Sequence, residues 1–95
     1  MVLGHERCGA VKAAVDGGEL PGHLAGLIAK ITPAVKATEG AAGDRLDAAV
    51  RRNVKDVVSS LEHSEPLLAE WVRAGKVKVV GARYDLDTGE VTLVE

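Results

Sequence analysis

Phenylalanine is absent from this 95-residue chain, and Trp71 and Tyr84 are its only large aromatic side chains. The core must therefore be assembled from Val, Leu, Ile and Ala, without the anchors that bury most area per residue. Basic residues are not in excess either. Twelve Lys and Arg stand against 14 Asp and Glu, for a formal charge of −2. They are scattered, which argues against nucleic acid as a partner, since that needs a concentrated basic face. A single cysteine, Cys8, rules out an internal disulfide and a dithiol cycle, and a reducing cytoplasm is the expected setting. No apolar run approaches the roughly 20 residues that span a bilayer, so no membrane role is expected. Met1 to Ala14 has neither the basic start nor the long apolar stretch of a signal peptide. The length allows one domain at most, near the lower limit of what folds alone.

What is present alternates between strand and helix signals. "MVLG" reads as the tail of a buried strand ending at Gly4, and "AVKAAVDG" as a short helix stopped by Gly17 and Gly18. Leu24, Leu27, Ile28 and Ile31 recur at helical spacing, with Pro33 expected to kink or end that helix. "EGAAGD" (39–44) is the loosest stretch. The clearest helix runs from Asp44, its cap, to His63, with Leu46, Ala49, Val50, Val54, Val57, Val58 and Leu61 on one face. Ser64 is expected to cap a further helix over "LLAEWVRAG", stopped by Gly75. "KVKVVGARYDL" reads as a Val-rich strand, "DTG" as a tight turn, and "EVTLVE" as an edge strand with one covered face.

A strand, a helical crossover and a second strand form a βαβ unit, which favours a parallel sheet. The expected class is α/β. The apolar helix faces exceed what so little sheet can cover, so residues 1–95 read as the second half of a larger domain.

The opening "GHERCG" admits three chemistries. Gly4 and Gly9 have the G-x-x-x-x-G spacing of a phosphate loop, but Ala10 and Val11 stand where that motif needs Lys and Ser or Thr. Cys8, just before a helix, has the setting of an activated thiol with His5 as proton partner, but no third residue evidently orients the histidine. His-x-x-Cys also lets an imidazole and a thiolate converge on a soft divalent ion, of which zinc accepts both ligand types. The bland alternative is a small buried thiol beside a turn histidine. Spacing alone does not separate these.

The wider chain adds a resemblance. "VLGHERCGAVKAA" resembles the second zinc-binding segment of the β-class carbonic anhydrases. "NVKDVVSSLEHSEPLLAEWVRAGKVKVVGARYDLDTGEVTLVE" is similar to that family's C-terminal run, so the likeness covers essentially the whole chain. It implies a fold that is the C-terminal portion of a Rossmann-like parallel β-sheet with flanking helices and an antiparallel C-terminal edge strand. It implies Zn2+ as cofactor, with His5 and Cys8 matching the family's histidine and second cysteine ligands. CO2 and bicarbonate are the implied substrates, interconverted by a zinc-activated water.

The family's first cysteine lies in a Cys-x-Asp-x-Arg segment on an earlier strand, whose aspartate and arginine orient the attacking hydroxide. No such segment occurs in residues 1–95. A single partial domain is therefore expected, lacking the N-terminal strands, together with a homo-oligomer or a complementing N-terminal segment as partner. The rival expectation is a non-catalytic, truncated member acting as a zinc-binding or association module. His23 and His63 are read as surface or capping residues, Asp16 as a helix end, Asp85 and Asp87 as hairpin turn residues, and Glu6 and Arg7 receive no role.

Overall fold

The computed structural model describes residues 1–95. Seven elements follow in order: β1 (Val2–His5), α1 (Gly9–Asp16), α2 (Leu24–Ala37), α3 (Arg45–Glu62), α4 (Leu67–Arg73), β2 (Gly81–Tyr84) and β3 (Val91–Val94). The sheet order is β1-β2-β3, with β1 parallel to β2 and β3 antiparallel to it. The α/β reading and the antiparallel last strand are both found.

Packing of α3 organises the molecule. Asp44 caps it, its side chain accepting hydrogen bonds from the Leu46 and Asp47 amides, which satisfies two donors that an uncapped helix start would leave open. One stretch of α3 covers the sheet through Val54, while Ala49 and Val50 join Val11 of α1 and Ile28, Ile31 and Val35 of α2 in a single apolar cluster. Each buried Val or Ile is worth roughly 1.5–3 kcal/mol. Only 11 of the 95 residues are buried, however, so this core is thin.

α3 is the helix that packs on the sheet, and it covers one face; on the opposite face Ala82 alone is fully buried. Register pairs Val2 with Gly81 and Gly4 with Arg83, and these positions look toward α3. Strand alternation sends Leu3 and His5 to the opposite face, beside Ala82 and Tyr84, with Leu93 and Val91 opposite them on β3. Leu3 is 53% exposed and Leu93 59%. The outer edge of β1 has no strand partner.

Several expectations are corrected. β1 is an exposed edge rather than a buried strand, and it runs to His5 because Glu6 N still donates to the Tyr84 carbonyl. Of the two outcomes expected at Pro33, a kink or an end, α2 does not end there and continues to Ala37. Burial of Ile28, Ile31 and Val35 outweighs the ~3 kcal/mol cost of an interior proline. Ser64 does not cap α4; its N-cap is Pro66 and no side chain caps it. β2 begins at Gly81, not at Val77, because a strand persists only where a neighbour supplies a ladder and β1 offers four residues. Val57 is 38% exposed, since the short sheet gives α3 nothing to cover it with.

Candidate functional site

His5 closes β1 and Cys8 is the N-cap residue of α1, so the pair brackets a single turn at the carboxyl end of a parallel strand. That is where open α/β sheets place their ligands. His5 is exposed, and its Nδ1 lies 2.9 Å from the Glu6 carbonyl oxygen. A carbonyl oxygen only accepts, so a hydrogen bond here is donated by Nδ1, and in the neutral ring Nε2 then keeps its lone pair. A metal-ligating imidazole needs this arrangement. Cys8 is half-buried against the α1–α2–α3 cluster, unpaired by any disulfide, and its backbone carbonyl accepts from Lys12 N at 2.9 Å.

The two residues between the pair, to which sequence reasoning gave no role, are both tied by their side chains to the segment between β2 and β3. Glu6 Oε1 accepts from the backbone amides of Leu86 at 2.7 Å and Asp87 at 3.2 Å. Its other oxygen pairs with the Arg83 guanidinium at 3.4 Å. Arg7 adopts a φ of 52°, a left-handed conformation uncommon for a residue with a side chain. Its guanidinium donates two hydrogen bonds to the Asp87 carboxylate, at 3.0 and 3.2 Å. Arg83 also donates to Asp47 on α3, joining strand, turn and helix in one ionic network.

Physical causes of the charge states follow from these contacts. Burial pushes the Asp47 carboxyl up, but hydrogen bonds and charge from Arg51 and Arg83 more than offset that and hold it below the ordinary carboxylate range. The Arg7 guanidinium holds Asp87 low, first through its hydrogen bonds and then through its charge. Asp85 is held low by the amides of Asp87 and Thr88, an Asx-type turn that leads into the tight turn expected at "DTG".

Glu6, Asp85 and Asp87 form the one group of three potential metal ligands with mutually close atoms, and neither His5 nor Cys8 belongs to it. Their oxygens already accept from amides and from Arg7 and Arg83. The acidic group is therefore a hydrogen-bonded joint. His5 and Cys8 offer two of the donor types zinc prefers, an imidazole and a cysteine sulfur, and neither belongs to a close group of three. His23 and His63 lie exposed at helix ends, the latter with Nδ1 2.8 Å from the Ser59 carbonyl oxygen, and Asp16 ends α1 in a pair with Lys12. A cavity of about 480 Å³ lies at the other end of the sheet, against Lys55, Ser59, Lys78, Val80 and Leu93, away from the His5–Cys8 turn.

No signal within the sequence neighbourhood of Glu6 could have found its role. Its partners lie about 80 residues away, and local periodicity carries no such information.

The carbonic anhydrase family model matches residues 1–91. A carbonic anhydrase of Mycolicibacterium smegmatis is 35% identical, the alignment covering 98% of this chain and 47% of that protein. Carbonic anhydrase 2 of Mycobacterium tuberculosis is 32% identical with the same coverage. The chain thus spans about half the length of these relatives. Among solved structures, a tetrameric β-carbonic anhydrase of Sordaria macrospora superposes with a TM-score of 0.85 at 18% identity, over 97% of this chain and 49% of that one. A cysteine-to-alanine mutant of the β-carbonic anhydrase CafD from Aspergillus fumigatus gives 0.71 at 22% identity, over 98% and 54%. At those identities the structures speak for fold alone, and the sequence relatives carry the family: the chain is a member of the carbonic anhydrase family, with the fold of the C-terminal part of the β-class enzymes.

Proposed function

We propose that residues 1–95 act as the C-terminal portion of a β-carbonic anhydrase domain, contributing His5 and Cys8 to a zinc site for the reversible hydration of CO2. The observation that supports this most is the His5 ring: its Nδ1 contact with the Glu6 carbonyl leaves Nε2 free at a strand end, one turn from the thiol of Cys8. Zinc held there would supply a Lewis acid that brings the pKa of water near 7, so that it attacks CO2 at neutral pH. The chain's own residues orient that site. The Glu6 carbonyl favours the His5 tautomer protonated at Nδ1, and Cys8 packs against the apolar cluster at the start of α1.

The third protein ligand and the Asp–Arg pair come, on this reading, from a Cys-x-Asp-x-Arg segment outside these 95 residues. The unpaired edge of β1 and the bare sheet face with Leu3 and Leu93 fit a larger sheet. A second reading, a non-catalytic zinc-binding or association module, is favoured by the lack of a third close ligand. Co-expression separates the two. With a segment carrying Cys-x-Asp-x-Arg and its strands, bound zinc and stopped-flow CO2 hydration should appear together, while the chain alone gives negligible hydration. Hydration by the lone chain well above free zinc, abolished in Cys8→Ser, would refute this division of the site.

A further inference from the structure

We propose that the turn between β2 and β3 is the positioning device of the His5–Cys8 pair, acting through Glu6 and Arg7 as a two-pronged latch. The inference rests on the zinc reading above and specifies how that site is held. The pair spans four residues, of which the inner two are both fastened to the β2–β3 turn, Glu6 to residues 86 and 87 and Arg7 to Asp87. Glu6 takes the Leu86 and Asp87 amides on one oxygen, and Arg7 grips the Asp87 carboxylate with both ends of its guanidinium. Between them the backbone passes through the left-handed conformation of Arg7. A side chain is held in that region only where its surroundings dictate it. The bidentate grip of Asp87 supplies that constraint, and the Asx-type turn at Asp85 keeps the receiving amides in place.

Rotation at Arg7 would swing Cys8 relative to His5, since only the Glu6–Arg7 turn separates them. Glu6 and Arg7 thus touch no metal themselves; they set the angle at which two ligands meet. Coupling between binding and a conformational restraint is reciprocal. Metal bound by His5 and Cys8 must therefore tighten the β2–β3 turn, and loosening the turn must weaken the metal.

Cobalt(II) titration of the full chain tests this, because its thiolate charge-transfer absorption reports the Cys8–metal bond directly. Glu6→Ala should weaken cobalt binding roughly 10-fold, the scale typical of lost outer support for a ligand. Glu6→Gln, which keeps an acceptor for the two amides, should recover part of that loss. Arg7→Gly permits the left-handed backbone but lacks the grip on Asp87, and it should weaken binding even if Glu6→Ala fails to fold. Arg73→Ala, which breaks an exposed ion pair with Glu65 beside α4, should leave cobalt affinity unchanged. Added cobalt should also slow hydrogen exchange at the Leu86 and Asp87 amides. Unchanged affinity in folded Glu6→Ala and Arg7→Gly, with wild-type binding still lost in His5→Ala and Cys8→Ala, would overturn the latch and leave the zinc reading standing. A wild-type cobalt spectrum indifferent to His5→Ala and Cys8→Ala would overturn the zinc reading, and the latch with it.

Discussion

Val54 of α3 rests directly on Gly4 of β1: a Cβ built on Gly4 would lie 2.6 Å from Val54 Cγ2, and one on Gly81 would lie 2.6 Å from Val54 Cγ1. The helix approaches the sheet this closely because both strand positions beneath it lack a side chain. In a strand, alanine is ordinarily favoured over glycine by roughly 0.5–1 kcal/mol. Here the overlap decides the sign. Gly4→Ala and Gly81→Ala should each destabilise the fold by about 1–3 kcal/mol in urea melts. In a Val54→Ala background the cost of either should shrink, and additive costs would show that the contact is not the cause.

The N-terminus of α3 offers a smaller, independent test. Asp44→Ala removes the acceptor for two backbone amides and should cost about 1 kcal/mol, with Asp44→Ser restoring most of it. A thermal melt of the three proteins measures both.

Acid should act on the fold through Asp47. Its carboxyl titrates lower in the folded chain than its ordinary value of 3.8. Such a group adds stability that is fully present above the unfolded value and is lost as pH falls through the folded one. Wild type should therefore exceed Asp47→Asn in stability at neutral pH, and the gap should narrow below about pH 4. A gap that stays constant down to pH 2 would mean that Arg83 and Arg51 do not favour the charged form.

How much of this was legible in the sequence depended on the range of the interaction. Asp44 and the Leu46–Ala49–Val50–Val54 spacing announced α3, and Asp85-x-Asp87-Thr88-Gly89 announced the hairpin, because caps, helical faces and turns are settled within a few residues. The "GHERCG" corner was legible as a motif, and its strand–turn–helix setting was found. Pro33 lies inside α2 rather than at its end because local propensity yields to burial of the surrounding apolar face. The start of β2 misled because strand ends are set by the partner strand, and Val57 misled because the helical pattern outlasts the sheet beneath it. Glu6 and Arg7 stayed silent, since their partners become neighbours only after β1 and β2 pair.

Exposed apolar residues predict association. Leu3, Val91 and Leu93 share one uncovered sheet face, and the outer edge of β1 offers unpaired backbone groups. Light scattering should find concentration-dependent assemblies, or else a chain that melts with low cooperativity. Leu93→Lys should shift the distribution toward monomer. A highly stable, cooperative monomer would show that the thin core suffices without a partner.

The central claim, that His5 and Cys8 are metal ligands, is tested most directly by titrating zinc against the purified chain, His5→Ala and Cys8→Ala in competition with a chelating indicator. Two ligands on a partly organised corner give a weak site, completed by water or outside ligands, and either substitution should abolish it. Retention of the wild-type affinity in both variants, or a sub-nanomolar 1:1 site built by one chain alone, would contradict the account.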